Sequence, residues 1–253
     1  MDLTGVTIAF DLDGTLVETA PDLIGALNGV LEENGLAALP VEAARALVGR
    51  GARALLEKGF ATAGQPLGEE QAPKLVARFI EVYRQRIARE SLAYDGLEAA
   101  LDVLGAAGAT LCVCTNKPTE LSILLLDALK LTSRFASVIG ADAAPKAKPD
   151  ASHFITAVTR AGGDPATAIM VGDSETDVLT ARAAGAPVVV VPFGYTEIAP
   201  ADLGGDILIQ HFSQLPAAIE QLLPALNREK ASAIRSPSPS SGRSSGKALG
   251  QDA

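Results

Sequence analysis

Tryptophan is absent and aromatic residues are only 4% of the chain, so no aromatic stacking platform is suggested. Cysteine occurs twice, as Cys112 and Cys114 in an apolar run. Strand geometry turns both thiols to one face, and a C-x-C pair with no other Cys or His near it reads as buried packing rather than a zinc or redox site. Histidine is also limited to two residues, His153 and His211, without ligand spacing. No run approaches the ~20 apolar residues of a membrane span, and the first residues lack a charged and apolar leader pattern. The protein is expected in the cytoplasm, away from membranes.

Positive charge is scarce as well: 21 Lys and Arg face 30 Asp and Glu, for a net charge of −9. The last 26 residues hold five of the cations and two of the acids, so the remainder sits near −12. Such a surface repels a polyanion, and nucleic acid is an unsuitable partner. A small anionic substrate is compatible only if a metal and local donors outweigh the global field.

What is present is aliphatic and periodic. Apolar runs of strand length recur at 6–10, 110–114, 137–139, 168–171 and 188–191, with helical patterns at 96–107, 117–129, 151–161 and 175–184. This alternation predicts an α/β fold, a Rossmann-like parallel sheet with helices on both faces. Roughly ninety residues separate the first strand from the second, and their apolar positions, such as Leu23, Leu27, Val30 and Leu31, follow the helical period. The expected organisation is a discontinuous core over 1–16 and 91–227, and an inserted helical unit over 17–90 whose two connections are natural hinges. Residues 228–253, rich in Ser, Pro and Gly, are expected to be disordered.

Four polar features follow four of the strands: Asp11-Leu12-Asp13-Gly14-Thr15, then Thr115-Asn116, then Lys148-Pro149, then Gly172-Asp173-Ser174-Glu175-Thr176-Asp177. Ligands of an open parallel sheet bind beyond the carboxyl ends of its strands, so these residues should converge. Asp11, Asp13 and Asp173 supply three carboxylates, a donor set suited to a hard cation that keeps waters and accepts substrate phosphate; magnesium is the expected ion. Thr115 and Lys148 offer a hydroxyl and an ammonium for the charge of a phosphoryl group in transit, with Lys146 as a rival to Lys148.

In order and spacing these strings resemble the four signature motifs of the haloacid dehalogenase superfamily, from Phe10-Asp11-Leu12-Asp13-Gly14-Thr15-Leu16 through Cys114-Thr115-Asn116-Lys117-Pro118 and Lys148-Pro149-Asp150 to Val171-Gly172-Asp173-Ser174-Glu175-Thr176-Asp177. The resemblance implies that Asp11 takes the phosphoryl group as an aspartyl phosphate, that Asp13 is general acid and base with its backbone carbonyl on magnesium, and that Asp173 is the second carboxylate ligand. Thr115, Asn116 and Lys148 would bind the substrate, and Asp177 would orient either Lys148 or the waters of the metal. An Asp at position 13 argues against the dehalogenase branch. The helical insertion resembles the family's first-position cap, which closes over the site and excludes water.

Further strings, Leu16-Val17-Glu18-Thr19-Ala20-Pro21-Asp22-Leu23, Val48-Gly49-Arg50-Gly51 and Phe193-Gly194-Tyr195, are similar to the phosphoglycolate phosphatases, apart from Glu18 in place of Asp and Asp150-Ala151 after the motif lysine. The resemblance implies magnesium-dependent hydrolysis of a small phosphate monoester, 2-phosphoglycolate foremost, by a monomer or homodimer. Arg50, between two glycines, is the candidate for the substrate carboxylate. A phosphatase for a sugar or amino-sugar phosphate, a hexose-phosphate mutase and a non-catalytic phosphate-binding module are the other readings.

Overall fold

The computed structural model describes residues 1–45, 48 and 51–235. The chain enters through β1 (Thr7–Phe10) and a two-residue strand β2 (Val17–Glu18). Helices α1 (Ala20–Glu33), α2 (Val41–Ala44), α3 (Ala52–Thr62) and α4 (Ala72–Arg84) follow, and β3 (Leu92–Ala93) returns beside β2. The rest alternates: α5 (Leu97–Ala106), β4 (Thr110–Cys114), α6 (Thr119–Ala128), β5 (Ser137–Ile139), α7 (Ala151–Arg160), β6 (Ala168–Gly172), α8 (Glu175–Ala184), β7 (Val188–Val190), β8 (Ile207–Leu208) and α9 (Leu215–Arg235).

Six strands form one parallel sheet in the order β5-β4-β1-β6-β7-β8. Every residue of β1 and β6 is buried, as expected for strands covered on both faces. On one face Ile8, Phe10, Val113 and Val171 pack against Leu101, Leu104 and Ile219. On the other, Ala9, Cys112, Cys114 and Met170 pack against Phe154, Val158 and Ala181. The two thiols therefore share a face and are fully buried; burial pushes Cys112 up to about 12, so it is a packing group and not a thiolate.

Chain order reverses at β1, which has β4 on one side and β6 on the other, and a crevice opens at such a switch point. Register sharpens this: Phe10 pairs with both Val113 and Val171, so the residues just past these strands emerge side by side.

The long insertion is helical. Ile24, Leu27 and Leu31 of α1, Leu56 and Phe60 of α3, and Phe79 and Tyr83 of α4 enclose an apolar core distinct from the two sheet faces. Gly59 permits the close crossing of α3 on α1, because a Cβ there would lie 2.6 Å from a Leu27 methyl. Both connections to the sheet run through β2 and β3, which pair antiparallel, Val17 with Ala93 and Glu18 with Leu92. At this seam Asp22, fully buried, accepts hydrogen bonds from the amides of Glu90 (2.9 Å) and Ser91 (2.8 Å) and the Ser91 hydroxyl (2.8 Å), with Arg86 beside it at 3.2 Å.

The expected disordered tail begins too early at 228, because α9 runs on to Arg235; its remainder lies outside the described residues. Among the described residues no helix is long and apolar enough to cross a membrane.

Candidate active site

The rim of the crevice is built by β1, β4 and β6 together with the loops behind β5 and β7. Asp11, 8% exposed, is fixed by its amide donating to the Val171 carbonyl at 2.9 Å. Lys148 Nζ lies 2.8 Å from Asp11 Oδ1 and 2.6 Å from Asp177 Oδ1, so one ammonium bridges two carboxylates. Asp177 sits in the first turn of α8, where its other oxygen accepts from the Ser174 amide (3.1 Å) and hydroxyl (2.7 Å), a capping arrangement that suits an anion at a helix N-terminus. Of the two roles open to Asp177, orienting Lys148 is the one the contacts display.

Asp173 is held from two sides: Thr15 Oγ1 donates to Oδ1 at 2.9 Å and the Tyr195 amide donates to Oδ2 at 2.7 Å. Thr15 therefore serves a carboxylate. Gly14, at φ 86°, and Gly194 leave room for this carboxylate, since a Cβ on Gly14 would stand 2.7 Å from its Oδ2. Asp11, Asp173 and Asp177 present ligand oxygens within 4.8 Å of one another. Burial, opposed by the Lys148 charge and reinforced by Asp177, pushes Asp11 up to about 6. Burial and the charges of Asp177 and Asp11 push Asp173 up to about 8.

Three buried carboxylates facing a single ammonium leave an excess of negative charge that a divalent cation would neutralise. Asp11 Oδ1 also receives no well-directed hydrogen bond, the Lys148 contact being an ion pair only, and so keeps a free lone pair. An all-oxygen donor set of this kind could hold a hard metal ion. The Asp13 carboxylate faces the cavity side of this cluster, where Lys117 Nζ donates to both of its oxygens, at 3.0 and 3.1 Å, while the group expected at the metal is its backbone carbonyl.

Thr115 is buried beside Asp11, its Oγ1 accepting from the Lys117 amide at 3.3 Å, which leaves the hydroxyl hydrogen for a ligand. Asn116 has a task that the sequence did not suggest. Its amide oxygen accepts from the Lys148 amide at 2.9 Å and its amide nitrogen donates to the Lys148 carbonyl at 3.1 Å, so it holds the lysine's backbone while lining the cavity. The same Lys148 amide also donates to Nδ1 of His153 at 3.1 Å, and the other ring nitrogen faces the Ile139 carbonyl at 3.1 Å, which makes His153 satisfied core structure. Lys146 is exposed and pairs with Asp150 at 3.4 Å, well outside the site. Arg50 lies outside the described residues.

Lys117 and Tyr83 are functional candidates that sequence reasoning passed over. Lys117 follows Thr115-Asn116 directly after a buried strand, which was the available signal. Its ammonium sits 4.4 Å from the centroid of the Tyr83 ring, so a core loop meets helix α4 here. Against burial, which alone would lower it, Asp13 and Tyr83 hold the Lys117 ammonium well above the usual lysine range. Asp11, Asp13, Thr115, Asn116, Lys117 and Lys148 together floor a cavity of about 350 Å3 that the helices roof.

Known proteins resemble this chain over most of its length. Residues 8–191 match the family model described as haloacid dehalogenase-like hydrolase. A protein of Caulobacter vibrioides named phosphoglycolate phosphatase is 57% identical over 222 residues, covering 88% of this chain and 94% of its own. One of the same name from Agrobacterium fabrum is 43% identical, covering 85% and 92%. Among solved structures, a predicted phosphoglycolate phosphatase from Haemophilus somnus superposes with a TM-score of 0.78 at 29% identity, covering 86% of this chain and 99% of that one.

Proposed function

Because the chain belongs to the haloacid dehalogenase-like hydrolase family, we propose that it is a magnesium-dependent phosphatase that hydrolyses 2-phosphoglycolate to glycolate and phosphate. The observation that carries the reading is Asp11, set at the floor of the cavity within 2.8 Å of Lys148, in a chain 57% identical to a protein named phosphoglycolate phosphatase.

In the first step an Asp11 carboxylate oxygen forms a bond to phosphorus as the bond from phosphorus to the ester oxygen breaks. Asp13 gives a proton to the departing alkoxide, and the product is an aspartyl phosphate. In the second step Asp13 takes a proton from water, the water oxygen bonds to phosphorus, and the acyl phosphate linkage opens to regenerate Asp11. Lys148 and the Thr115 hydroxyl supply fixed donors for the phosphoryl oxygens, with Asn116 and Asp177 positioning Lys148. Asp11, Asp173 and the backbone carbonyl of Asp13 would hold magnesium, with the Asp177 carboxylate close by, and the ion would supply charge neutralisation for the phosphoryl group. The helices over 17–90 serve as the cap that excludes water.

The test is phosphate release from 2-phosphoglycolate, several sugar phosphates and an amino-sugar phosphate, with magnesium and with chelator. Magnesium-dependent preference for 2-phosphoglycolate is expected. Preference for another ester would overturn the substrate, and turnover of none would overturn the activity.

A further inference from the structure

Lys117 and Tyr83 line the cavity and have no task in the chemistry above. Lys117 has a side chain only 3% exposed and stands in the cavity wall. Its neighbour Tyr83 is 1% exposed and lines the same cavity, and its hydroxyl finds no hydrogen-bond partner of good geometry. A buried hydroxyl left unpaired is costly, and persists where a ligand completes it.

Of the remaining wall contributed by the helices, Leu23, Leu55, Val76, Phe79 and Ile80 are apolar, and Arg53 is already paired with Glu57 and Glu69. An ammonium in such surroundings interacts more strongly with a second charge than it would in water. Asp13 takes two donor directions of Lys117 Nζ and leaves a third.

We infer that Lys117 Nζ and the Tyr83 hydroxyl together bind a second anionic group of the substrate, a carboxylate, beside the phosphoryl group at Asp11. The inference rests on the phosphatase reading and deepens it. Lys117 is tied to Asp13, which lines the same cavity floor as Asp11, so the carboxylate and the phosphoryl group of one molecule would be bound side by side. That geometry selects short phosphorylated hydroxy acids. A sugar phosphate would set hydroxyls against the apolar side chains of that wall. Lys117 thus has two contacts at once, one with the proton-transfer group and one with the substrate, and Tyr83 brings the helical roof into recognition.

The experiment compares kcat/KM for 2-phosphoglycolate and for ethyl phosphate, which lacks the carboxylate, in the unaltered protein, Lys117→Met and Tyr83→Phe. Sites built to pair a polar group reject the analogue lacking it strongly, so the unaltered protein should prefer 2-phosphoglycolate by about 100-fold or more. Lys117→Met should cut that ratio by at least about tenfold, whatever it does to Asp13, because ethyl phosphate shares the loss at Asp13 but not the loss at the carboxylate. Tyr83→Phe removes one oxygen without opening a cavity, and should lower the ratio by a few-fold, carried by KM. Equal loss on both substrates in both variants would overturn the inference and leave the phosphatase reading standing. Absence of any preference in the unaltered protein would instead overturn the reading itself, before a variant is made.

Discussion

The rim of the sheet and the helical roof are held together by opposite means. At the rim, buried charges outnumber their partners, and Asp11, Asp173 and Asp177 share Lys148 and a few fixed donors. In the roof, α1, α3 and α4 enclose Leu27, Leu31, Leu56 and Phe60 with no charge among them, while ion pairs such as Arg78 with Glu33 and Glu81 stay on the surface. The difference teaches where stability and reactivity reside. The roof is packed for stability, whereas the rim retains electrostatic tension that a substrate and an ion can relieve.

The largest blow to the rim should come from Asp11→Asn. Turnover of 2-phosphoglycolate should fall by at least ~10⁴-fold, about 5 kcal/mol of transition-state stabilisation, as measured by phosphate release. Thermal unfolding of the metal-free variant should not fall, since the change removes like-charge repulsion; a clear loss of Tm would show the rim to be an ordinary stabilising network. In the roof, Leu56→Ala should cost about 2–5 kcal/mol in denaturant unfolding, because a fully buried side chain leaves a cavity. If that variant instead lost activity with its stability intact, the division between the regions would fail.

Between the two lies the seam. Asp22→Asn should cost about 1–3 kcal/mol by weakening charge-assisted bonds to Glu90, Ser91 and Arg86. Burial alone would raise the Asp22 pKa, but the donors from Glu90 and Ser91 outweigh it and the net shift is downward. A carboxyl lowered on folding contributes stability that is complete above its unfolded value, near about 4, and lost as pH falls through the folded value. The gap between the two proteins should therefore close as pH drops below about 4, read from unfolding midpoints across pH. The smallest effect belongs to the roof's surface, where Arg78→Ala should change stability by less than about 1 kcal/mol despite its two partners, and salt should erase even that.

Much of the rim was legible because each reactive residue directly follows a run of buried β-formers, and the strands at Thr110–Cys114 and Ser137–Ile139 fall where the apolar runs fall. The pairs β2, β3 and β8 are two residues each, too short to show any alternation, and only their partners make them strands. The composition that suggests a tail becomes dense only at Ser236, past the helix whose end it was taken to mark. The partners of Asn116, Lys117 and Tyr83 were hidden for another reason. A residue's type says what it can bond, but which neighbour receives that bond depends on where loops from distant parts of the chain meet.

Asn116 shows what such a meeting achieves. Its carboxamide accepts from the backbone N–H of Lys148 and donates to the carbonyl of the same residue, which is how one strand reads its neighbour in a ladder. The side chain thus acts as an extra rung beyond the end of β4, extending the sheet's own pairing into a loop. The ammonium at Asp11 is therefore carried by the rigid body of the sheet, and its aim is inherited from the strands instead of from the thirty-odd residues of chain between Asn116 and Lys148. Aspartate lacks the donor for such a rung and leucine lacks both halves, so an amide is what the position demands.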